Sequence, residues 1–291
     1  MVFTYKKMIN LNEDTNSLFK IILYERRRKL INECPHCKSK AFIRYGKYSG
    51  IQRYKCKKCK RTFSLTTNSI WYYSKKKVDT WTNYIEMMLE KKSLRFIASK
   101  LKISLATGFY WRHKLMNAMC ENNKVEKLND YVHILTERIP ENFKGSRGVH
   151  NEEGHLWIVT AKGGNDKIIS EPISKNMWSS KSFNEKIYCK IDKKSFIKAY
   201  QNRYVYVLAK KHNSNVDGCQ ADIKDKSVEN YMHMYYRWFA GFRGIATKYI
   251  KEYLNWYMMF YREKKYYCFG YIREIVKVKK YIRTYEIGKL E

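Results

Sequence analysis

Four of the eight cysteines fall in two tight pairs, Cys34-Pro-His-Cys37 and, after eighteen intervening residues, Cys56-Lys-Lys-Cys59. A Cys-x-x-Cys turn presents two thiolates at the angle a tetrahedral ion requires, so the two pairs together predict a four-sulfur Zn2+ site built from Cys34, Cys37, Cys56 and Cys59. A closed site of this kind folds a small module, a zinc ribbon, and leaves no open position for catalysis. His36, inside the first turn, is expected to face solvent rather than to ligate. Lys55, Lys57, Lys58, Lys60 and Arg61 surround the second turn, and their expected role is contact with phosphates, which positions a nucleic acid without reading its sequence.

A second group begins at Ser93-Leu-Arg-Phe-Ile-Ala98 and continues through Leu101, Ile103, Ser104 and Thr107 to Lys114. Ile97, Leu101 and Ile103 have the spacing of core positions in a helix-turn-helix, Ala98 is small where two helices would cross, and Ser104 can cap the second helix. That helix would carry Thr107, Tyr110, Arg112, His113 and Lys114 toward a groove of DNA, with Trp111 in the core. An ordinary helical hairpin is the alternative, because Lys102 and Gly108 are not the residues a strict helix-turn-helix prefers at those places.

The elements that must position these groups can be read from composition and periodicity. The chain has 291 residues, with 59 Lys and Arg against 27 Asp and Glu, a formal charge of +32. With 44% hydrophobic and 16% aromatic residues it has the means to bury a core, which excludes a disordered basic tail. Lys, Asn, Ile and Tyr are all abundant, as AT-rich coding DNA would make them, but that bias does not explain the shortage of acids. A polyanionic partner, DNA, is therefore expected. No apolar run approaches the ~20 residues a membrane span needs, and Met1 to Asn16 lacks a signal-peptide core, so a reducing compartment is expected, the cytoplasm or its nucleoid.

Along the chain, Asn12 to Ile31 reads as a helix ending in the basic run Arg26 to Lys29, and short strands are expected at Ala41 to Tyr45 and Ile51 to Tyr54. Val78 to Met119 is helical and free of proline, with Trp81, Ile85, Met88 and Leu89 on one face. Strand-like segments follow at Val132 to Leu135, Leu156 to Ala161, Ile187 to Ile191 and Tyr204 to Ala209, then helical periodicity from Val228 to Phe260. Strands first and helices later suit an α/β domain with a mixed sheet. The expected divisions are a helical segment over 1–33, a zinc ribbon over 34–66, a helix-turn-helix over 70–125, an α/β domain over 131–260 and a basic extension over 261–291, to which periodicity assigns no structure.

These modules in this order resemble bacterial insertion-sequence transposases that carry an N-terminal zinc ribbon and a DDE-type, RNase H-like domain. The resemblance covers roughly residues 18 to 260. It rests on Gln52-Arg-Tyr-Lys-Cys56, Arg61-Thr-Phe63, Thr107-Gly-Phe-Tyr-Trp-Arg-His-Lys114, Arg243-Gly-Ile-Ala-Thr-Lys-Tyr249 and Tyr253-Leu-Asn-Trp256. It implies nicking and strand transfer by acidic side chains that hold two divalent ions, Mg2+ or Mn2+, which clamp the attacking and leaving oxygens. It also implies transposon ends as the DNA partner and a homo-oligomer assembled on them. Asp192 matches the family's second acid, and Glu229, after 36 intervening residues, its third. The first acid departs from the pattern: counting back ten residues from the glycine of Phe143-Lys144-Gly145 reaches Leu135. Glu137 lies two residues on, pointing to the same side of a strand but ~6.6 Å along it. Tyr236 stands where the family places a lysine, and His233 is one place out of register.

Three functions follow as alternatives. One is an active transposase using Asp192, Glu229 and a shifted Glu137. Another is an inactive relative that binds transposon ends as a repressor or structural factor. The third is a zinc-ribbon transcription factor unrelated to transposition.

Overall fold

The computed structural model describes residues 32–48, 51–64, 66–72, 74, 76, 78–122, 127–144, 154–164, 167–199, 202–213, 226–242, 244–262, 282 and 284–287. The helix expected over Asn12 to Ile31 lies outside them, as do Gly145 and Arg243. The chain is mixed α/β and divides into two compact units, one formed by 1–122 with 265–288, the other by 123–264 with 289–291.

In the first unit, β1 (Phe42–Tyr48), β2 (Ile51–Cys56) and β3 (Thr62–Ser64) form an antiparallel sheet in that order. Phe42, Tyr54 and Phe63 pack on one another with ring centroids 5.3 to 5.6 Å apart, and this small aromatic core adjoins the buried Cys34 and Cys56. Three helices follow: α1 (Val78–Leu89), α2 (Leu94–Lys100) and α3 (Leu105–Asn122). The apolar face expected on α1 is buried, Trp81, Ile85, Met88 and Leu89 all being inside. Ser93 caps α2 by accepting from the Phe96 N–H at 3.2 Å, and Ser104 caps α3 by accepting from the Thr107 N–H at 3.0 Å. Trp111 is buried as expected and stacks on Trp81, with centroids 3.7 Å apart and planes 13° from parallel. The C-terminal stretch, unassigned by periodicity, contributes a short helix, α4 (Thr284–Ile287), that packs on α3 and buries Ile287.

In the second unit, β4 (Tyr131–Pro140), β5 (His155–Lys162) and β6 (Ile168–Lys175) are antiparallel neighbours, and β7 (Phe196–Ala199) joins the free side of β4 in parallel, giving the order β6-β5-β4-β7. The strands at β4 and β5 agree with the alternation in the sequence, but two other expectations are corrected. Tyr204 to Ala209 is not a strand: it lies within α6 (Arg203–His212), which follows α5 (Ser180–Lys186). Asn202 caps α6 by accepting from the N–H groups of Tyr204 and Val205 at 3.0 and 3.1 Å, and Val205 and Ala209, four residues apart, bury one face. Ile187 to Ile191 is also not a strand but a single 3-10 turn, Tyr188–Lys190, ending in one bridge from Ile191 to Leu128. Strands β6 and β7, which no expectation covered, complete the sheet.

Alternation along β4 sorts the two faces of this sheet. Val132 and Ile134 point into a core made with Val159, Ala161, Ile169, Ile197, Phe183 of α5 and Val205 of α6. The opposite face carries Leu135, paired with Thr160, and Glu137, paired with Ile158. It meets α7 (Lys226–Ala240) and α8 (Ile250–Arg262) through Ser170, whose Oγ lies 3.2 Å from Tyr231 Oη and whose N–H lies 3.2 Å from Met258 Sδ. Helices α7 and α8 are held together by rings, with Trp238 edge-on to Trp256 at 5.0 Å and Phe242 to Tyr253 at 5.1 Å. Gly244, between them, has φ +93°, and a Cβ there would come within 2.9 Å of Asn142 Nδ2. The turn it forms is tied to the end of β4 by the Thr247 N–H donating to Asn142 O at 2.9 Å and the Asn142 N–H donating to Thr247 Oγ1 at 2.8 Å.

Candidate metal centre and nucleic-acid interface

The four cysteines converge. Cys34 Sγ lies 3.7 Å from Cys59 Sγ and Cys37 Sγ 3.6 Å from Cys56 Sγ, and all four sulfurs lie within 4.8 Å of one another. Four ligands at ~2.3 Å from a tetrahedral zinc stand ~3.8 Å apart, so the donor set and its spacing fit a metal such as zinc. The two turns are built alike. The Lys38 N–H donates to Cys34 O at 2.9 Å and the Lys60 N–H to Cys56 O at 3.1 Å, and each lysine, four residues after the first cysteine of its pair, has a left-handed φ, +62° and +60°. The Cys59 N–H, 3.5 Å from Cys56 Sγ, is the main cause that draws the Cys56 thiol down to about 6, against the opposing effect of burial. Thiolate character is what metal ligation requires. His36 points its Nε2 toward Thr62 O at 3.4 Å rather than joining the sulfurs.

Around this cluster Lys57, Lys58, Lys60 and Arg61 are exposed. On the adjoining sheet the half-exposed ring of Tyr45 is flanked by Arg53 at 5.5 Å and Lys55 at 5.1 Å. Cations interleaved with an exposed ring give a surface suited to phosphates and sugars.

The residues expected to reach a groove from α3 divide sharply. Arg112 and His113 do not face outward: they are only 4% and 1% exposed. The reason is a partner twenty residues back. The Arg112 guanidinium donates to Lys92 O at 3.0 Å, joining α3 to the turn between α1 and α2, while the His113 ring packs 4.4 Å from Phe109. Lys114 is half-buried, and desolvation lowers its pKa. Thr107 and Tyr110 are partly exposed, but the open part of the helix is its first turn, Leu105 and Ala106.

The three acids are not brought together. Asp192 follows the 3-10 turn: its N–H donates to Leu128 O at 2.8 Å and its Oδ1 accepts from the Lys194 N–H at 2.9 Å, which shapes the approach to β7. Phe196 of β7 is in register with Tyr131, so Asp192 sits beyond the amino end of β4. Glu137 is six residues, roughly 20 Å, past Tyr131 on that strand, and so farther still from Asp192. Glu229 is exposed in the first turn of α7, where a helix N-terminus favours a carboxylate. Two turns later on the same helix, roughly 10 Å on, the Tyr236 hydroxyl donates to Glu137 Oε2. Burial first, and then the Glu137 carboxylate, raise the Tyr236 pKa, so the phenol keeps its proton and remains a donor.

Beside the middle of β4 lies the amide that caps α6. Asn202 Nδ2 donates to Thr136 Oγ1 at 3.2 Å. Across from Leu135 runs a hydroxyl chain, Thr160 Oγ1 to Ser170 Oγ at 2.9 Å and on to Tyr231 Oη at 3.2 Å. Sequence reasoning missed Asn202, although an Asn immediately before a helical run is a cap signal. Among the described residues the cysteines are the one group of three or more side chains able to hold a metal ion. No helix among them is long and apolar enough to cross a membrane.

No protein-family model matches the chain. Over 90 residues it is 30% identical to an uncharacterized protein in the transposable element ISH50 of Halobacterium salinarum, a match covering 30% of this chain and 30% of that protein. The chain thus spans about a third of the length of the relative it matches.

Proposed function

We propose that this chain is a DNA-binding protein of an insertion-sequence element, related to DDE-type transposases, that holds DNA without cutting it by two-metal chemistry. The observation that carries the reading is the middle of β4. Leu135 offers an apolar surface where a metal-bridging carboxylate is needed, and the nearest acid, Glu137, is engaged by Tyr236. The similarity to a protein in a transposable element and the mixed sheet covered by helices support the transposase-like ancestry. The cysteine turns, as a zinc ribbon, and helices α2 and α3, as a helix-turn-helix, supply the DNA contacts, and a homo-oligomer on DNA in the nucleoid accords with that role. With no Asp192, Glu229 and Glu137 constellation formed, Mg2+ and Mn2+ have no assigned part.

The test is binding of the zinc-loaded chain to duplex DNA over a range of salt. Each phosphate contact releases counterions, so affinity should fall steeply with salt, and Lys57→Ala should weaken binding to all duplexes alike while reducing the log–log salt slope by about one. Absence of binding to any duplex at low salt would remove this reading.

A further inference from the structure

Between Ser104 and Trp111 there is no Arg, Lys, Asn, Gln, Asp or Glu. These are the side chains that read base edges by paired hydrogen bonds, Arg and Lys on guanine and Asn and Gln on adenine. Of the three hydroxyls in that stretch, Ser104 and Thr107 are engaged in capping, Ser104 Oγ lying 2.8 Å from Thr107 Oγ1 and accepting from the Thr107 N–H, and Tyr110 is only partly exposed. The next cation, Arg112, is turned inward onto Lys92 O. What the first turn of α3 offers outward is apolar: Leu105, 48% exposed, and the exposed Ala106.

An exposed leucine at the start of a helix contributes free energy where it covers another apolar group. Exposed cations lie on the preceding helix and turn, Arg95, Lys100 and Lys102. A second copy of the same chain would bring like charge against them, whereas a duplex brings phosphates. In the major groove the apolar feature of a base pair is the C5-methyl of thymine. Resting on the DNA-binding reading above, we propose that α3 recognises A·T-rich duplex by seating Leu105 against thymine methyl groups, with Arg95, Lys100 and Lys102 on the flanking phosphates.

The experiment compares full-length, zinc-loaded chain on alternating poly(dA-dT) and alternating poly(dA-dU), which differ by the methyl group. Loss of the methyl should weaken binding about four-fold for each methyl covered, the factor that burial of one such group gives. Leu105→Ala should erase the difference between the two duplexes. Near-ultraviolet circular dichroism of the stacked Trp81–Trp111 pair confirms that the variant is folded. Equal binding of the two duplexes by the natural chain would overturn the inference, as would a methyl preference that survives in Leu105→Ala. So would a dimer that Leu105→Ala dissociates with no methyl preference, which would make the face an interface between copies. Failure to bind either duplex would instead strike at the DNA-binding reading itself, so the two failures are distinguishable.

Discussion

Replacing Arg112 separates a structural role from a base-reading one. Its guanidinium lies in the interior, gives one hydrogen bond of 3.0 Å to Lys92 O, and leaves Nε without a partner. Truncation to alanine strips the Lys92 carbonyl of that donor, which costs about 1–3 kcal/mol, and leaves a cavity that adds to the loss. Arg112→Met keeps most of the volume and removes an incompletely satisfied buried cation, so it should cost less. The assay is urea unfolding followed through the Trp81–Trp111 stack, a probe placed within the affected helices. Arg112→Ala should lower the midpoint of that signal while leaving DNA selectivity intact at temperatures where the helices remain folded. Full stability combined with lost discrimination between duplexes would refute the reasoning, because the side chain would then be reaching DNA.

Two further outcomes are expected. Metal analysis should find one zinc per chain, and Cys37→Ser or a strong chelator should unfold the cysteine-bearing sheet but not the second unit, since structural zinc binding is largely folding energy for so small a module. Glu252, buried at the start of α8 with Oε2 unpartnered, has its pKa raised to about 7, chiefly by burial. The folded form thus holds a proton that the unfolded chain releases near 4.5. The contribution of the protonated group is full below the unfolded value and is lost as pH rises through about 7, a change on the order of 3 kcal/mol. Glu252→Gln should remove this decline, which urea midpoints measured from pH 4 to 9 would reveal as a difference between the two proteins; parallel pH profiles would contradict it.

What the sequence disclosed depended on how local the signal was. The cysteine turns, the Ser104 cap and the buried Trp111 were legible because spacing over a few residues determines them. Arg112 was misplaced because its partner, the Lys92 carbonyl, belongs to another turn, and nothing in the neighbouring residues marks it. Tyr204 to Ala209 has the β-branched and aromatic content of a strand, yet the Asn202 cap and a face formed by Val205 and Ala209 make it a helix. The interval from Asp192 to Glu229 matched a count along the chain, but a 3-10 turn where a strand was expected leaves Asp192 at the amino end of the parallel pair rather than beside Leu135. The β7 strand, four residues long, is too short for alternation to announce it.

The most direct test of the central claim is strand cleavage of DNA flanking the reading frame, with Mg2+ and then Mn2+, by the natural chain and Glu137→Gln under conditions where binding is shown in parallel. Both proteins should bind and neither should nick the DNA, because Leu135 cannot bridge two ions and Asp192 lies beyond the amino end of β4, more than roughly 20 Å from Glu137. Metal-dependent nicking by the natural chain that Glu137→Gln abolishes would contradict that claim and install Glu137 as the first acid of a working site.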